Sequence, residues 1–355
     1  FSQDYDLPNE HAYCETCASV GMVFWNQRMN ALTGNAEYMD VLERSLYNGA
    51  LDGLSLSGDR FFYGNPLASR GQHQRREWFG TACCPANIAR MVASLGNYIY
   101  AYSDNAVFVN LYVGSNTHFN LKSGVVGLKM ETNYPWEGKV KISIDPVKKS
   151  AFSLQLRLPG WMYDRIAPGG LYAVHQEGDD GVNDVFDPVV LINGKQINYT
   201  IRNGYMIIDR IWQKGDQVEF EFPMDVKIVE ARAELKQDQG RIALQRGPIV
   251  YCVEGADNNG KAWNLIVPEN TRFETMDHKV LDEPVKAITA EVPVVMVGSD
   301  GQSLFTEKRK IVAIPYYAWA NRGKNEMQVW LPTRINEVKV NYQCANVPMC
   351  QYANV

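Results

Sequence analysis

The chain has 355 residues, of which 46% are hydrophobic and 21% charged, and its formal net charge at pH 7 is -5. Because one apolar core rarely grows much beyond about 250 to 300 residues, this length predicts two or three domains. The acidic balance and the lack of long basic tracts argue against nucleic acid as a partner, and no apolar run approaches the roughly 18 residues that span a bilayer.

Helical periodicity predicts three helices before about residue 102. They are predicted at residues 12–32, 37–51 and 86–100. The second has Val41, Leu42 and Leu46 on one stripe and ends at Asp52-Gly53, which is a stop signal. The third follows Pro85, a residue suited to the first turn of a helix.

From residue 106 the hydrophobic period falls to two, which predicts strands. The predicted strands lie at residues 107–113, 125–131, 140–144, 152–158, 189–191, 205–209 and 218–222, and a further set begins at residue 226. Their regular spacing is typical of β-sandwiches, and the break near Pro223 is a candidate domain boundary. Residues 177–187 are acidic and turn-rich, which predicts a loop.

Two short runs carry sulfur and carboxylate groups of the kind that zinc accepts as ligands. The runs are Tyr13-Cys14-Glu15-Thr16-Cys17 and Ala82-Cys83-Cys84-Pro85. Because Pro85 suits a first helical turn, Cys84 is predicted at the helix cap, with both sulfurs near the positive end of the helix. That position favours thiolate over thiol, and a thiolate can either bind metal or attack carbon.

The first run also has simpler interpretations. Cys14 and Cys17 form a C-x-x-C pair, which is typical of redox proteins, and buried inert cysteines are a further alternative. Glu15 and Cys17 lie two residues apart and would not share a helical face. Both therefore reach one metal only if the segment is irregular or begins a helix.

Other residues leave alternatives open. Tyr63 lies in the aromatic run 61–66, where its phenol reaches substrate or its ring packs beneath a loop. Cys252 is predicted to be buried in an apolar run, whereas Cys344 and Cys350 lie in a polar tail, paired or free. The five histidines show no H-x-x-x-H or H-E-x-x-H spacing, which argues against a histidine-based zinc hydrolase.

With both runs at predicted helix starts, the chain resembles glycoside hydrolase family 127, the β-L-arabinofuranosidases, and the related family 146. The matching stretches are Asp4-Tyr5-Asp6-Leu7-Pro8-Asn9, Glu15-Thr16-Cys17-Ala18-Ser19, Glu43-Arg44-Ser45-Leu46-Tyr47-Asn48, Phe61-Phe62-Tyr63-Gly64-Asn65-Pro66-Leu67, Trp78-Phe79-Gly80-Thr81-Ala82-Cys83-Cys84-Pro85-Ala86-Asn87, Leu244-Gln245-Arg246-Gly247-Pro248 and Ile314-Pro315-Tyr316-Tyr317-Ala318-Trp319-Ala320-Asn321-Arg322-Gly323. They are spread over nearly the whole chain, and the combination of Glu-Thr-Cys with Cys-Cys-Pro is distinctive.

The resemblance implies an α-then-β multidomain fold. Residues 1–103 would be the remnant of an (α/α)6 barrel, and residues 104–223 and 224–343 would form two antiparallel β-sandwich domains, followed by a tail over residues 344–355. The last strand of the second sandwich is expected to stay there or to return to the first. Three predicted helices are fewer than such a barrel needs, so the chain is interpreted as the C-terminal portion of the enzyme.

The resemblance also implies a site and a reaction. Zinc (Zn2+) would be held by Glu15, Cys17, Cys83 and Cys84, with Cys83 as the nucleophile and Tyr63 in support. The enzyme would release terminal β-L-arabinofuranose from plant-type glycans with retention of configuration. The reaction would pass through a thioglycosyl intermediate, a departure from the usual pair of carboxylates.

The family's acid/base glutamate would lie just ahead of Phe1, and neither Glu10 nor Glu77 matches its position. The chain alone is therefore expected to be inactive. The expected ligand is an arabinose-containing oligosaccharide or glycan, and a homodimer through the β-sandwiches is a candidate assembly. The alternative is a carbohydrate-binding or structural β-sandwich protein with a structural zinc site. The first residues lack signal-peptide features, which leaves a bacterial cytoplasm and export both open.

Overall fold

The structure is a computed structural model that describes residues 3–175, 187–300, 303–335, 338–340 and 353–354. Helices lie mainly in the first hundred residues: α1 (Thr16–Thr33), α2 (Glu37–Arg44), a π-helical turn (Ser45–Ala50) and α3 (Cys83–Ser94). Short 3-10 helices lie at Leu51–Gly53, Leu95–Tyr98, Gly160–Tyr163, Pro168–Gly170, Lys236–Asp238, Gly255–Asp257 and Tyr316–Ala318. Cys344, Cys350 and nearly all of the predicted acidic loop lie outside the described residues.

Strands make up most of the remaining described residues. They are β1 (Ala68–Arg70), β2 (Tyr100–Ser103), β3 (Ala106–Val109), β4 (Ser115–Leu121), β5 (Gly124–Thr132), β6 (Lys139–Pro146), β7 (Ser150–Arg157), β8 (Tyr172–Val174), β9 (Val190–Ile192), β10 (Lys195–Ile197), β11 (Thr200–Arg202), β12 (Tyr205–Trp212), β13 (Asp216–Glu221), β14 (Val226–Ala231), β15 (Arg241–Arg246), β16 (Ile249–Glu254), β17 (Glu274–Val280), β18 (Glu283–Val297), β19 (Leu304–Pro315), β20 (Glu326–Gln328), β21 (Leu331–Pro332), β22 (Lys339–Val340) and β23 (Ala353–Asn354). The prediction of a few helices followed by a mostly β chain is confirmed.

The helices begin and end at residues different from those predicted. α1 begins at Thr16 because the preceding segment is extended and Glu15 pairs with Gly64 in an isolated bridge. It ends at Thr33, and the following Gly34 has a φ of 65°, the left-handed conformation that glycine adopts at helix ends. The predicted second helix is interrupted at Ser45, where the π-helical turn begins. Among the described residues, no helix is long and apolar enough to cross a membrane.

The strands form three large sheets. A six-stranded sheet has the order β10-β9-β13-β6-β5-β4, and a five-stranded sheet has the order β11-β12-β7-β3-β2. A ten-stranded sheet has the path β17-β18-β19-β16-β15-β14-β8, with β1, β20 and β21 attached at its side. Buried side chains of the six- and five-stranded sheets form one apolar cluster, which includes Val107, Leu128, Ile142 and Leu154. The two sheets therefore share a core.

The strand pairing departs from the antiparallel prediction at one place. β3 and β7 pair in parallel, with Val107 opposite Leu154. The three strands between them belong to the other sheet of the shared core, so β7 returns by a crossover, which allows parallel pairing. β8 lies early in the chain but pairs with β14 of the ten-stranded sheet. β22 pairs with β23, whereas it was expected in one of the two sandwiches. The barrel remnant and the two sandwiches stay predictions.

A buried charge network fixes α2 against the first two large sheets. Arg157 at the end of β7 is fully buried, and its guanidinium lies 2.8 Å from Asp40 Oδ1 and 2.5 Å from Glu43 Oε1. Tyr134 also donates a hydrogen bond to Glu43 Oε1, at 2.8 Å. Burial raises the pKa of Asp40, and the nearby Arg157 charge partly offsets this rise. The charged form of Asp40 therefore depends on Arg157.

Replacing Arg157 with methionine should lower the free energy of unfolding by about 3 to 5 kcal/mol, because Glu43 and Asp40 would remain buried without a partner. The control is Lys129→Met, since Lys129 and Glu131 form an exposed pair, and exposed ion pairs add little to stability. Urea unfolding of both variants measures the difference. Equal small losses in the two would show that the network contributes little.

Candidate metal centre

Glu15 and Cys17 reach the same point because they lie at the start of a helix. Glu15 is the residue before α1 and has extended backbone angles (φ -67°, ψ 137°), whereas Cys17 is the second helical residue. Two backbone hydrogen bonds join this extended segment to the loop that carries Tyr63. The Thr16 amide donates to the Tyr63 carbonyl (2.8 Å), and the Asn65 amide donates to the Cys14 carbonyl (2.9 Å). The spacing allowed either an irregular segment or the beginning of a helix, and the structure shows the beginning of a helix.

Cys83 and Cys84 are the first two residues of α3, and Ala82 precedes them as the cap. The helix cap thus lies two residues earlier than the predicted cap at Cys84, and Pro85 takes the third helical position. Proline is tolerated there because the first amides of a helix have no intrahelical partner. The two cysteines therefore project from the first turn of α3 toward the first turn of α1.

The four predicted ligand atoms meet. One atom each of Glu15, Cys17, Cys83 and Cys84 lies within 4.8 Å of every other. Cys83 Sγ is 3.3 Å from Glu15 Oε1 and 3.9 Å from Cys84 Sγ, while Cys17 Sγ is 3.3 Å from Cys84 Sγ. Sulfurs at about 2.3 Å from a tetrahedral zinc are separated by about 3.8 Å. The cluster therefore has the size and the donor atoms of a metal site.

The protein groups around the cluster favour neutral thiols. Burial raises the pKa of Cys17 and of Cys84. Hydrogen bonds from Cys17, and then from Tyr13, lower the pKa of Glu15, which is therefore charged. The prediction that the start of α3 favours the thiolate form is therefore opposed at Cys84, where burial raises the pKa. A cation among these atoms would reverse the balance, since metal coordination deprotonates thiols.

Tyr63 contacts the cluster through a second tyrosine. The Tyr13 hydroxyl donates to Glu15 Oε2 at 2.8 Å and lies 2.8 Å from the Tyr63 hydroxyl. The Tyr63 ring also packs edge-on against Phe79, with 6.0 Å between ring centroids. Sequence reasoning assigned no role to Tyr13. Its position two residues before Glu15 was the available signal, because the extended segment places these alternate side chains on one side.

Asn87 is a second residue to which the sequence analysis gave no role. Its side-chain amide donates to Cys17 Sγ at 3.3 Å, so it contacts a predicted ligand from outside the cluster. Asn87 lies one helical turn after Cys83 and Cys84, on the face of α3 that these residues share. The spacing i, i+3 and i+4 was therefore the signal that could have identified it.

The remaining cysteines among the described residues are separate from the cluster. The Cys14 thiol donates to the Asn65 carbonyl at 2.9 Å, whereas Cys17 contacts Cys84. This arrangement counts against a Cys14–Cys17 redox pair. Cys252 in β16 is 1% exposed, and burial raises its pKa strongly, so the prediction of a buried cysteine is confirmed.

An open cleft of about 550 Å³ lies beside the cluster. Its lining includes Glu10, Tyr63, His73, Arg76, Phe79 and Thr81, and aromatic and polar side chains are mixed. Glu10 is paired there with Arg70 at 3.1 Å. Glu77 is exposed and pairs with Arg60. The cleft gives a ligand of sugar size access to the region of Tyr63.

Three family models match successive parts of the chain. Residues 1–97 match the model of the β-L-arabinofuranosidase catalytic domain of glycoside hydrolase family 127, residues 106–224 match the middle domain of that family, and residues 226–332 match its C-terminal domain. The chain therefore belongs to glycoside hydrolase family 127.

The similar proteins are about twice as long as this chain. A non-reducing end β-L-arabinofuranosidase of Bifidobacterium longum subsp. longum is 32% identical, over 93% of this chain and 50% of its own length. A solved family 127 β-arabinofuranosidase structure is 40% identical with a TM-score of 0.89, covering 95% of this chain and 52% of that one. A family 127 β-L-arabinofuranosidase from Geobacillus stearothermophilus T6 is 39% identical with a TM-score of 0.81, covering 94% and 52%.

Removing the amide of Asn87 should weaken metal binding without removing a ligand. Substitution of groups that orient metal ligands typically costs about 10- to 100-fold in affinity, and Asn87→Ala should fall in that range. Competition with a chromophoric chelator measures the affinity of the variant. Asn97→Ala, at an exposed asparagine shortly after α3, is the control and should bind metal like the wild type. An unchanged metal affinity in Asn87→Ala would show that the Asn87 amide does not orient the Cys17 sulfur for metal binding.

Proposed function

We propose that this chain forms the zinc-thiolate part of a retaining glycosidase that releases terminal β-L-arabinofuranose from plant-type glycans. Glu15, Cys17, Cys83 and Cys84 would hold the zinc. The observation that carries the proposal is the meeting of three sulfurs and one carboxylate in a chain of this family, near a cleft that Tyr63 and Thr81 line. When bound, zinc would keep the sulfurs deprotonated at neutral pH.

The two adjacent cysteines differ in exposure, which supports different roles for them. Cys84 has no exposed surface, so its sulfur is suited to binding metal. Cys83 is only partly buried, and its sulfur lies 3.3 Å from Glu15 Oε1 at the edge of the cluster. A nucleophile must reach the anomeric carbon of a sugar, so Cys83 is the residue we assign to this step.

The reaction would proceed in two displacements. The Cys83 sulfur attacks the anomeric carbon, a carbon–sulfur bond forms, and the bond to the leaving oxygen breaks while that oxygen takes a proton from a general acid. Water then attacks the same carbon, gives its proton to the acid/base, and releases Cys83. Each displacement inverts the carbon, so the configuration is retained overall. Tyr63 would orient the sugar or the sulfur through its contacts with Tyr13.

The alternative function, a carbohydrate-binding or structural protein with a structural zinc site, requires a closed metal shell. The partly exposed Cys83 and the cleft beside it favour the enzyme. The two functions differ in their response to loss of one sulfur, which leads to the next prediction.

In the intact protein, Cys83→Ser should lower kcat by about 10³-fold or more, as loss of a nucleophile does in other enzymes. Cys84→Ser should lose zinc first, because its sulfur is the buried ligand. Cys252→Ala is the control, since Cys252 lies in β16, away from the cluster. Metal analysis and turnover of an aryl β-L-arabinofuranoside measure both effects. Wild-type turnover in Cys83→Ser would exclude Cys83 from the mechanism.

The 355-residue chain expressed by itself should show no arabinofuranosidase activity, even with zinc supplied. It spans about half the length of the relatives it matches, and neither Glu10 nor Glu77 matches the family's acid/base. General acid catalysis commonly contributes about 10²- to 10⁴-fold. The same aryl glycoside assay tests this, with the intact protein as the positive control. Clear zinc-dependent turnover by the chain alone would place the acid/base within these residues.

A further inference from the structure

The loop that carries Tyr63 is bound to the ten-stranded sheet through a buried arginine. Arg75 is 2% exposed, and its guanidinium lies 3.0 Å from Asp52 Oδ1. The same guanidinium donates to the Trp319 carbonyl at 3.0 Å and to the Tyr317 carbonyl at 3.2 Å. The segment 316–319 follows β19 of the ten-stranded sheet directly. Arg75 therefore joins the start and the end of the 52–76 segment to that sheet.

The same arginine contacts the residue next to Tyr63. Its guanidinium lies over the Phe62 ring, 4.4 Å from the centroid, and Phe62 also stacks on Trp319 with 5.2 Å between centroids. The Phe62 carbonyl accepts a hydrogen bond from Thr16 Oγ1 at 3.0 Å. The next carbonyl, that of Tyr63, accepts from the Thr16 amide at 2.8 Å. A shift of Phe62 would thus move both Tyr63 and the segment that begins with Glu15.

We propose that Arg75 is a positioning residue for Tyr63 in the reaction proposed above, and that it acts through Phe62. The inference rests on the proposed function, because it assigns Tyr63 a part in that reaction. Arg75 itself does not line the cleft. Its effect is to keep the Tyr63 hydroxyl at the Tyr13 hydroxyl, 2.8 Å away, and thereby near Glu15.

A purely structural role would have different consequences, and the chain contains a matched control. Arg157 is also fully buried and paired with two carboxylates, but its partners Asp40 and Glu43 lie on α2. Lysine at either position keeps the charge and loses the planar set of donors. Arg157→Lys therefore reports what a weakened buried pair does to the protein in general. Arg75→Lys should show this general effect and, in addition, any effect that is transmitted through Phe62 to Tyr63.

The first experiment measures kcat and KM per bound zinc in the intact protein for Arg75→Lys, Tyr63→Phe, the double variant and Arg157→Lys. We expect Arg75→Lys and Tyr63→Phe each to lower kcat by about tenfold, the size of loss that misplacing one active-site group can cause. The double variant should lose little more than either single one, because both act through the same hydroxyl. Arg157→Lys should keep the wild-type kcat per zinc. Independent, multiplying losses in the double variant would overturn the proposal.

The second experiment does not depend on activity. Amide hydrogen exchange of Thr16 and Phe62 reports the hydrogen bonds that hold the loop, since the Phe62 amide donates to the Gly53 carbonyl at 3.0 Å. Both amides should exchange about tenfold faster in Arg75→Lys than in Arg157→Lys. Phe62→Leu keeps the Arg75–Asp52 pair but loses the ring contacts, and it should speed the exchange of both amides in the same way. It replaces Arg75→Lys as the test variant if Arg75→Lys does not fold. Unchanged exchange in the folded variants would overturn the positioning role, whereas an inactive wild-type protein with the expected exchange pattern would overturn only the proposed function.

Discussion

The candidate site depends on the close approach of two helix starts, and one glycine makes that approach sterically feasible. Gly53 lies between α1 and α3: a Cβ added there would be 2.3 Å from Thr16 Cγ2 and 2.8 Å from Ile88 Cδ1. A larger side chain there would have to displace the side chains of Thr16, on α1, and Ile88, on α3. The sulfurs of Cys17 and Cys84 are 3.3 Å apart, so a shift of about one ångström would move a donor out of a zinc shell with bonds near 2.3 Å.

Buried ion pairs connect this helical region to the sheets. Arg157 joins α2 to the sheets that follow it, and Arg75 joins the Tyr63 loop to the ten-stranded sheet. Burial raises the pKa of Asp52 to about 7 even though Arg75 lies beside it. Such a pair adds little net stability compared with an apolar replacement, but leaving one partner unpaired is costly. The sheets therefore constrain the geometry of the helical region as well as covering it.

The order of helices and strands could be predicted from local signals, and the donor set from two short runs together with the resemblance to family 127. The Glu-Thr-Cys and Cys-Cys-Pro runs have the donors that zinc prefers, and the change of hydrophobic period marks where strands begin. Contacts between segments that lie far apart in the chain could not be predicted from these local signals. The pairing of β8 with β14, the parallel pairing of β3 with β7, and the Arg75–Asp52 pair all join residues whose proximity depends on tertiary structure. Tyr13 and Asn87 were not predicted to contact the cluster, although their spacing from Glu15 and from the Cys83-Cys84 pair could have indicated it.

The raised pKa of Cys84 and the proposed role of Cys83 as the nucleophile have the same physical origin. Successive residues of a helix point about 100° apart, so two adjacent cysteines at one helix start cannot have the same environment. Cys84 faces the core, where burial raises its pKa. Cys83 faces the edge of the cluster. Under the proposed function, two adjacent cysteines would thus provide one buried metal ligand and one accessible sulfur from a single helical turn, which is the division that a metal-activated nucleophile requires.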